Sequence, residues 1–239
     1  MPNTINKQRL LTQLFTTLKS RYGATEPVAR PVLEQFLYAV CREGTTREKA
    51  DRAFRTLAER FFDWNEIRVS SPREVEEALA DLPDAESRAH RLISLLQEVF
   101  ETTFSFSLED LHKKGVKMAA KQLMRYQAAN DYLGAWVLQR SLGGHAIPLD
   151  PPTLRCSRRL GLIDEAHDDV EAARASLEHL VPKAKGPQFT DAVSSVAQDY
   201  CWEDEPNCPA CPLAGECATA QEAGVEQLAG ARSHRPKPR

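Results

Sequence analysis

Cys201, Cys208, Cys211 and Cys217 are spaced C-x6-C-x2-C-x5-C, four thiols within seventeen residues. As thiolates they are soft ligands that select zinc or an iron-sulfur cluster over hard cations, and one short loop can wrap such a centre unaided. Pro206, Pro209 and Pro212 lie between or just beyond them; their fixed φ angles and missing N–H donors keep the segment out of regular helix. The expectation is a metal centre on these four residues, a 4Fe-4S cluster or, alternatively, zinc. Cys41 and Cys156 stand far away in apolar or helical segments and read as core residues.

Two further sets carry possible chemistry. Asp150 precedes Pro151 and Pro152, a helix-start signal in which the carboxylate accepts an orphan N–H and proline costs nothing in the first turn. In LEDLHKKGVKMAAKQLMRY, Lys114, Lys117, Lys121 and Arg125 recur at three- and four-residue steps, which predicts one basic face of one helix. Arg155, Arg158 and Arg159 follow, and the tail carries Arg232, Arg235, Lys237 and Arg239. Such a distribution permits nucleic-acid binding; it equally fits a solvated helix face.

The elements that must hold these residues are helices. Val32, Leu33, Phe36, Leu37 and Val40 share a face, as do Ala50, Phe54, Leu57, Ala58 and Phe61. SPREVEEALADLP has a serine cap, a first-turn proline and early acidic residues, and SRAHRLISLLQEVFETTF has a wide apolar face. Asn130 is placed to cap a helix through Trp136 that Gly143 and Gly144 end. DVEAARASLEHLV and FTDAVSSVAQDYC give two more helices, the last leading into Cys201. No alternating β-branched run occurs, and VSS at Val69 reads as loop. The fold class is all-α.

Over 239 residues, with 42% hydrophobic and 27% charged side chains, one or two cores can form. No apolar run approaches the ~18 residues of a membrane span, and the N-terminal segment lacks a secretory apolar block. Four cysteines at ligand spacing argue for reduced thiols and a cytoplasmic location. The net charge of −3 does not advertise a polyanionic partner by itself.

On the residues of CWEDEPNCPACPLAGEC and IPLD, the chain resembles the endonuclease III branch of the helix-hairpin-helix DNA glycosylase superfamily, from about Pro31 to Cys217. The resemblance implies a two-lobed fold: a six-helix barrel over residues 28–144, and a cluster lobe from residues 1–27 and 145–239 with the cluster loop at 201–217 and a basic tail at 230–239. Double-stranded DNA, damaged or branched, would bind a monomer in the cleft between the lobes.

The family aspartate that stabilises positive charge on the sugar as a base departs matches Asp150. The Schiff-base lysine of bifunctional members falls on Tyr132, eighteen residues earlier, and a phenol cannot form that adduct; water-using members also lack the lysine. The family hairpin, of the form LPGVGRKTA, turns on glycines and aims backbone N–H groups at a phosphate. Here Ala128, Ala129 and Asn130 stand in that stretch, so the turn is expected to be remodelled. Lys114, Lys117, Lys121, Arg125, Asn130, Arg155 and Arg158 are the candidate DNA contacts, and Tyr132, Trp136 and His145 are near enough to line a base pocket. The stretch Cys41-Arg42-Glu43-Gly44-Thr45-Thr46 takes the place of the family loop whose glutamine fills the gap of a flipped base.

The sequence thus supports a monofunctional DNA glycosylase, a non-catalytic relative that recognises bent, branched or damaged DNA by shape and charge, or a protein whose metal centre serves redox chemistry or a structural zinc clip.

Overall fold

The computed structural model describes residues 6–22, 28–163 and 169–224. The basic tail at 230–239 and the acidic residues Asp164, Glu165 and Asp168 lie outside the described residues. Among those described there are twelve α-helices and no strand. In chain order they are α1 (Lys7–Tyr22), α2 (Val32–Arg42), α3 (Arg47–Arg60), α4 (Trp64–Val69), α5 (Pro72–Ala78), α6 (Ala85–Thr103), α7 (Val116–Leu123), α8 (Asp131–Arg140), α9 (Pro151–Arg159), α10 (Val170–Leu180), α11 (Gly186–Asp199) and α12 (Ala218–Glu222).

Side chains of the connecting residues start half of these helices. Thr46, Asp63, Ser71, Asn130, Asp150 and Asp169 each accept a backbone N–H of the first turn. Ser71 and Glu74 form a reciprocal capping box, which satisfies two orphan donors at once. Two positions differ from the sequence expectation. Val69 is the last residue of α4, whose start Asp63 caps through Glu66 N at 2.8 Å. The single basic helix is broken: Glu109–Lys113 is a 3-10 turn, Gly115 is extended at φ −60°, ψ 151°, and α7 begins only at Val116. Glycine loses more backbone freedom in a helix than any other residue, and here it separates Lys114 from Lys117.

Apolar faces gather into two cores. One joins α2, α3, α5, α6, α7 and α8 around Leu33, Phe36, Leu37, Leu57, Leu92, Leu96 and Leu133. The other joins α1, α9, α10 and α11 around Leu10, Leu14, Cys156, Leu177, Phe189 and Val193, and reaches Cys217. α8 and α9 are linked by residues 141–150, and the buried α2 packs along α8.

Candidate functional site

The end of α2, the start of α9 and the middle of α11 meet where the two cores adjoin. Asp150 is 2% exposed. One of its oxygens accepts Thr153 N at 2.9 Å and caps α9; the other accepts Gly44 N at 2.8 Å from the turn after α2. Gly44 has φ +67°, with Arg88 Nη2 3.9 Å from where a Cβ would stand, so that turn favours glycine for its backbone rather than for space. Arg88 donates to the carbonyls of Val40, Glu43 and Pro83 and fixes it. Arg42, also 2% exposed, donates to Thr45 O and, at 2.7 Å, to Ser194 Oγ on α11. Arg140 pairs with Asp191 at 2.7 Å. Three polar bridges therefore tie α2 and α8 to α9 and α11.

Tyr132 is buried beside this junction, and burial, above all, holds its hydroxyl protonated well above the usual phenol range. Its ring lies 5.9 Å from Trp136, which in turn lies 5.9 Å from Tyr38. Arg140 stacks on Trp136 at 4.6 Å and Arg30 on Tyr38 at 3.9 Å. A cavity lined by Arg30, Tyr38, Arg42, Trp136 and Arg140, but not by Tyr132, is about 20 Å³, room for a single water. His145 lies apart, its Nε2 against Glu178 O at 2.6 Å; a carbonyl only accepts, so that nitrogen carries the proton and the ring ties residue 145 to α10.

The expected DNA-contact residues differ in exposure and in their partners. Lys117, Lys121 and Arg125 are exposed, Lys117 and Lys121 one turn apart on α7. Lys114 precedes the helix and its ammonium donates to Gln122. Arg155 turns toward the cysteine loop, donating to Cys201 O at 3.0 Å from Nη2, while Arg158 is exposed on α9. Asn130 is taken up internally: Oδ1 accepts Leu133 N at 3.0 Å and Nδ2 donates to Glu43 Oε1 at 2.7 Å. The turn before it, Tyr126–Asn130, is closed by Ala129 N on Tyr126 O at 3.0 Å. Its next two donors, Gln127 N and Ala128 N, meet the carboxylate of Glu98 on α6 at 2.5 and 3.1 Å.

At the other end of α9 the four cysteines line one apolar pocket with Leu160, Val196, Tyr200 and Ala220. Cys156 lines it too, fully buried and facing the loop, so it is a fifth thiol of this region rather than a core residue alone. Arg159 places Nη1 3.7 Å from Cys201 Sγ, and Cys217 Sγ donates to Arg159 O at 3.1 Å. A hydrogen bond from Cys156 and the Arg159 guanidinium lower the Cys201 thiol to about 6, whereas burial pushes Cys211 up to about 11. All four thiols are free. Among the described residues no three His, Cys, Asp or Glu side chains converge on a point fit for a single ion. An apolar pocket ringed by thiols, with guanidinium groups beside it, is chemically suited to a sulfur-ligated centre.

The chain superposes on solved DNA glycosylases over nearly its whole length. A non-covalent endonuclease III–DNA complex matches with a TM-score of 0.70 at 18% identity, covering 92% of this chain and 99% of that one. The fold is that of the helix-hairpin-helix DNA glycosylases. A thermostable thymine-DNA glycosylase shares the glycosylase fold with a TM-score of 0.64 at 15% identity over 90% of this chain and 97% of its own. The Helicobacter pylori 3-methyladenine DNA glycosylase MagIII, bound to 1,N6-ethenoadenine, matches with a TM-score of 0.51 at 15% identity over 96% and 99%. No protein-family model matches the sequence, and no curated protein matches it.

Arg42, Gly44 and Glu98 escaped the sequence reading as functional positions. Gly44 carries a local signal, a glycine just after an apolar helix; Arg42 meets Ser194 on a distant helix and Glu98 meets a turn about thirty residues away, and neither carries one.

Proposed function

We propose that the protein is a monofunctional DNA glycosylase of DNA repair, which releases a damaged or mismatched base and leaves the strand uncut. The observation that carries this reading is Asp150, buried where the two cores meet and gripped by one amide from each side. A carboxylate has about four lone-pair sites, so each oxygen keeps capacity for a water or for the sugar edge of an extruded nucleotide. Held by the folded backbone, its charge opposes the positive charge that grows on the sugar as the base departs. Tyr132 supplies no amine, and its buried hydroxyl stays protonated, which supports attack by water rather than by the protein.

Cys201, Cys208, Cys211 and Cys217 would hold a 4Fe-4S cluster, with zinc as the alternative occupant. When bound, such a group contributes folding free energy to a loop with few apolar side chains. Arg155 and Arg159 hold the loop against α9 through Cys201 O and the carbonyls of Trp202 and Glu203. Lys117, Lys121 and Arg125 would pair with phosphates, an interaction that weakens steeply with salt.

A second reading, a non-catalytic protein that binds deformed DNA, draws on the same residue. Asp150 is 2% exposed, and a pure cap would look the same. The deciding experiment is base release from a panel of lesion-bearing duplexes by the intact protein and by Asp150→Asn. Release by the parent and none by the variant, at unchanged or higher DNA affinity, supports the glycosylase. Tight binding without release by either supports the second reading. Iron and sulfide analysis of anaerobically purified protein separates the two metal occupants.

A further inference from the structure

The turn between α7 and α8 is built as an anion site and already has a tenant. Gln127 N and Ala128 N point the same way and converge on the two oxygens of Glu98, at 2.5 and 3.1 Å. Successive backbone N–H groups of this kind form a concavity that binds anions. Cations stand close along the chain: Lys121 and Arg125 precede the turn and are exposed. The turn itself is anchored, since Tyr126 is 5% exposed with its ring 6.1 Å from Phe36, and Asn130 caps α8. Glu98 is anchored more weakly. It is half-buried near the C-terminal end of α6, on a long side chain that regains rotamer freedom when it swings into water.

We propose that Glu98 is a built-in competitor for a DNA phosphate: its carboxylate occupies the amide pair of Gln127 and Ala128 in the free protein, and a phosphodiester must displace it to dock there. This rests on the DNA-binding reading above. A phosphodiester carries the same single negative charge as the carboxylate and also accepts from two N–H groups, so the exchange conserves hydrogen bonds. What it does not conserve is repulsion, because the displaced carboxylate remains near the incoming anion. At about 4 Å in water two unit charges interact by about 1 kcal/mol, about fivefold in affinity. The competitor therefore weakens duplex binding and makes the hairpin contact conditional on what else the DNA offers.

The test is duplex binding by the full-length protein, measured by fluorescence anisotropy with a labelled 25-mer carrying an abasic-site analogue, over a series of salt concentrations. The proteins compared are the parent, Glu98→Gln, Glu98→Ala and Glu101→Gln. Glu101 lies one turn away on α6, exposed, and bonds Gln97 rather than the turn, so its variant removes the same charge without opening the amides. Far-UV melting curves establish that each variant is folded. Both Glu98 variants are expected to bind about fivefold more tightly at low salt, a gain that shrinks as salt rises. Glu101→Gln, an exposed and screened charge, is expected to stay within about twofold of the parent. Unchanged or weaker binding by the Glu98 variants, or an equal gain in Glu101→Gln, overturns the proposal while leaving DNA binding in place. If none of the four proteins retains duplex at low salt, the DNA-binding reading falls and this inference with it.

Discussion

Asp150 and Glu98 are both carboxylates that each accept two backbone N–H groups, and they sit at opposite extremes of permanence. Asp150 is a short side chain, buried, and its two donors come from either side of the molecule. Glu98 is long and half-buried, and both its donors belong to one turn. Removing a buried acceptor strands donors that water cannot reach, whereas a half-exposed one is replaced by solvent. Similar hydrogen bonds thus serve as a fixed joint in one place and an exchangeable latch in the other.

The contrast can be broken most directly at Asp150. Asp150→Ala removes a helix cap and orphans Gly44 N in one step, and is expected to cost about 3 kcal/mol in urea denaturation. A cost below about 1 kcal/mol would show that the junction is wetter than its burial implies. Asp150→Asn keeps a good cap but presents an amide nitrogen to one of the donors, so about 1–2 kcal/mol is expected, together with loss of base release. Glu98→Ala, in the same denaturation series, is expected to cost under about 1 kcal/mol; a larger loss would make it a second fixed joint.

A qualitative test sharpens the comparison from the side of the substrate. Tyr132 lies in the field of Arg42, Asp150, Glu43 and Arg140. Burial at that position would lower the pKa of an amine toward its neutral, nucleophilic form. Tyr132→Lys is therefore expected to yield a borohydride-trapped adduct with an abasic duplex, seen as a shifted band on a denaturing gel. A folded variant that traps nothing would show that the sugar does not reach the Asp150 junction.

What could be read from the sequence was local. The proline pair after Asp150, the Ser71 and Glu74 box and the Asn130 cap all use signals within four residues, and each helix begins where they indicate. The cysteine spacing brings its four thiols to one pocket because short turns fold the loop back on itself, Asn207 N meeting Tyr200 O at 2.8 Å and Cys211 N meeting Cys208 O at 3.1 Å. Tertiary choices were not legible. Whether LEDLHKKGVKMAAKQ runs as one helix depends on Gly115 paying its backbone entropy, and packing of Leu111 and Ala119 does not require it to. Arg155 looked like a surface cation until the cysteine loop folded over it. Glu98 is one acidic residue among several on α6, distinguished only by a turn that lies about thirty residues downstream.

One helix connects regions that have so far stood separately. α9 is nine residues long, a strut of about 14 Å at 1.5 Å per residue, with Asp150 at its tip and Arg155, Cys156 and Arg159 braced on the cysteine loop at its foot. Tilting it by about ten degrees displaces the tip by about 2 Å, enough to pull the carboxylate off Gly44. Damage to the loop would thus surface as misalignment at the distant end, with no change to any residue there.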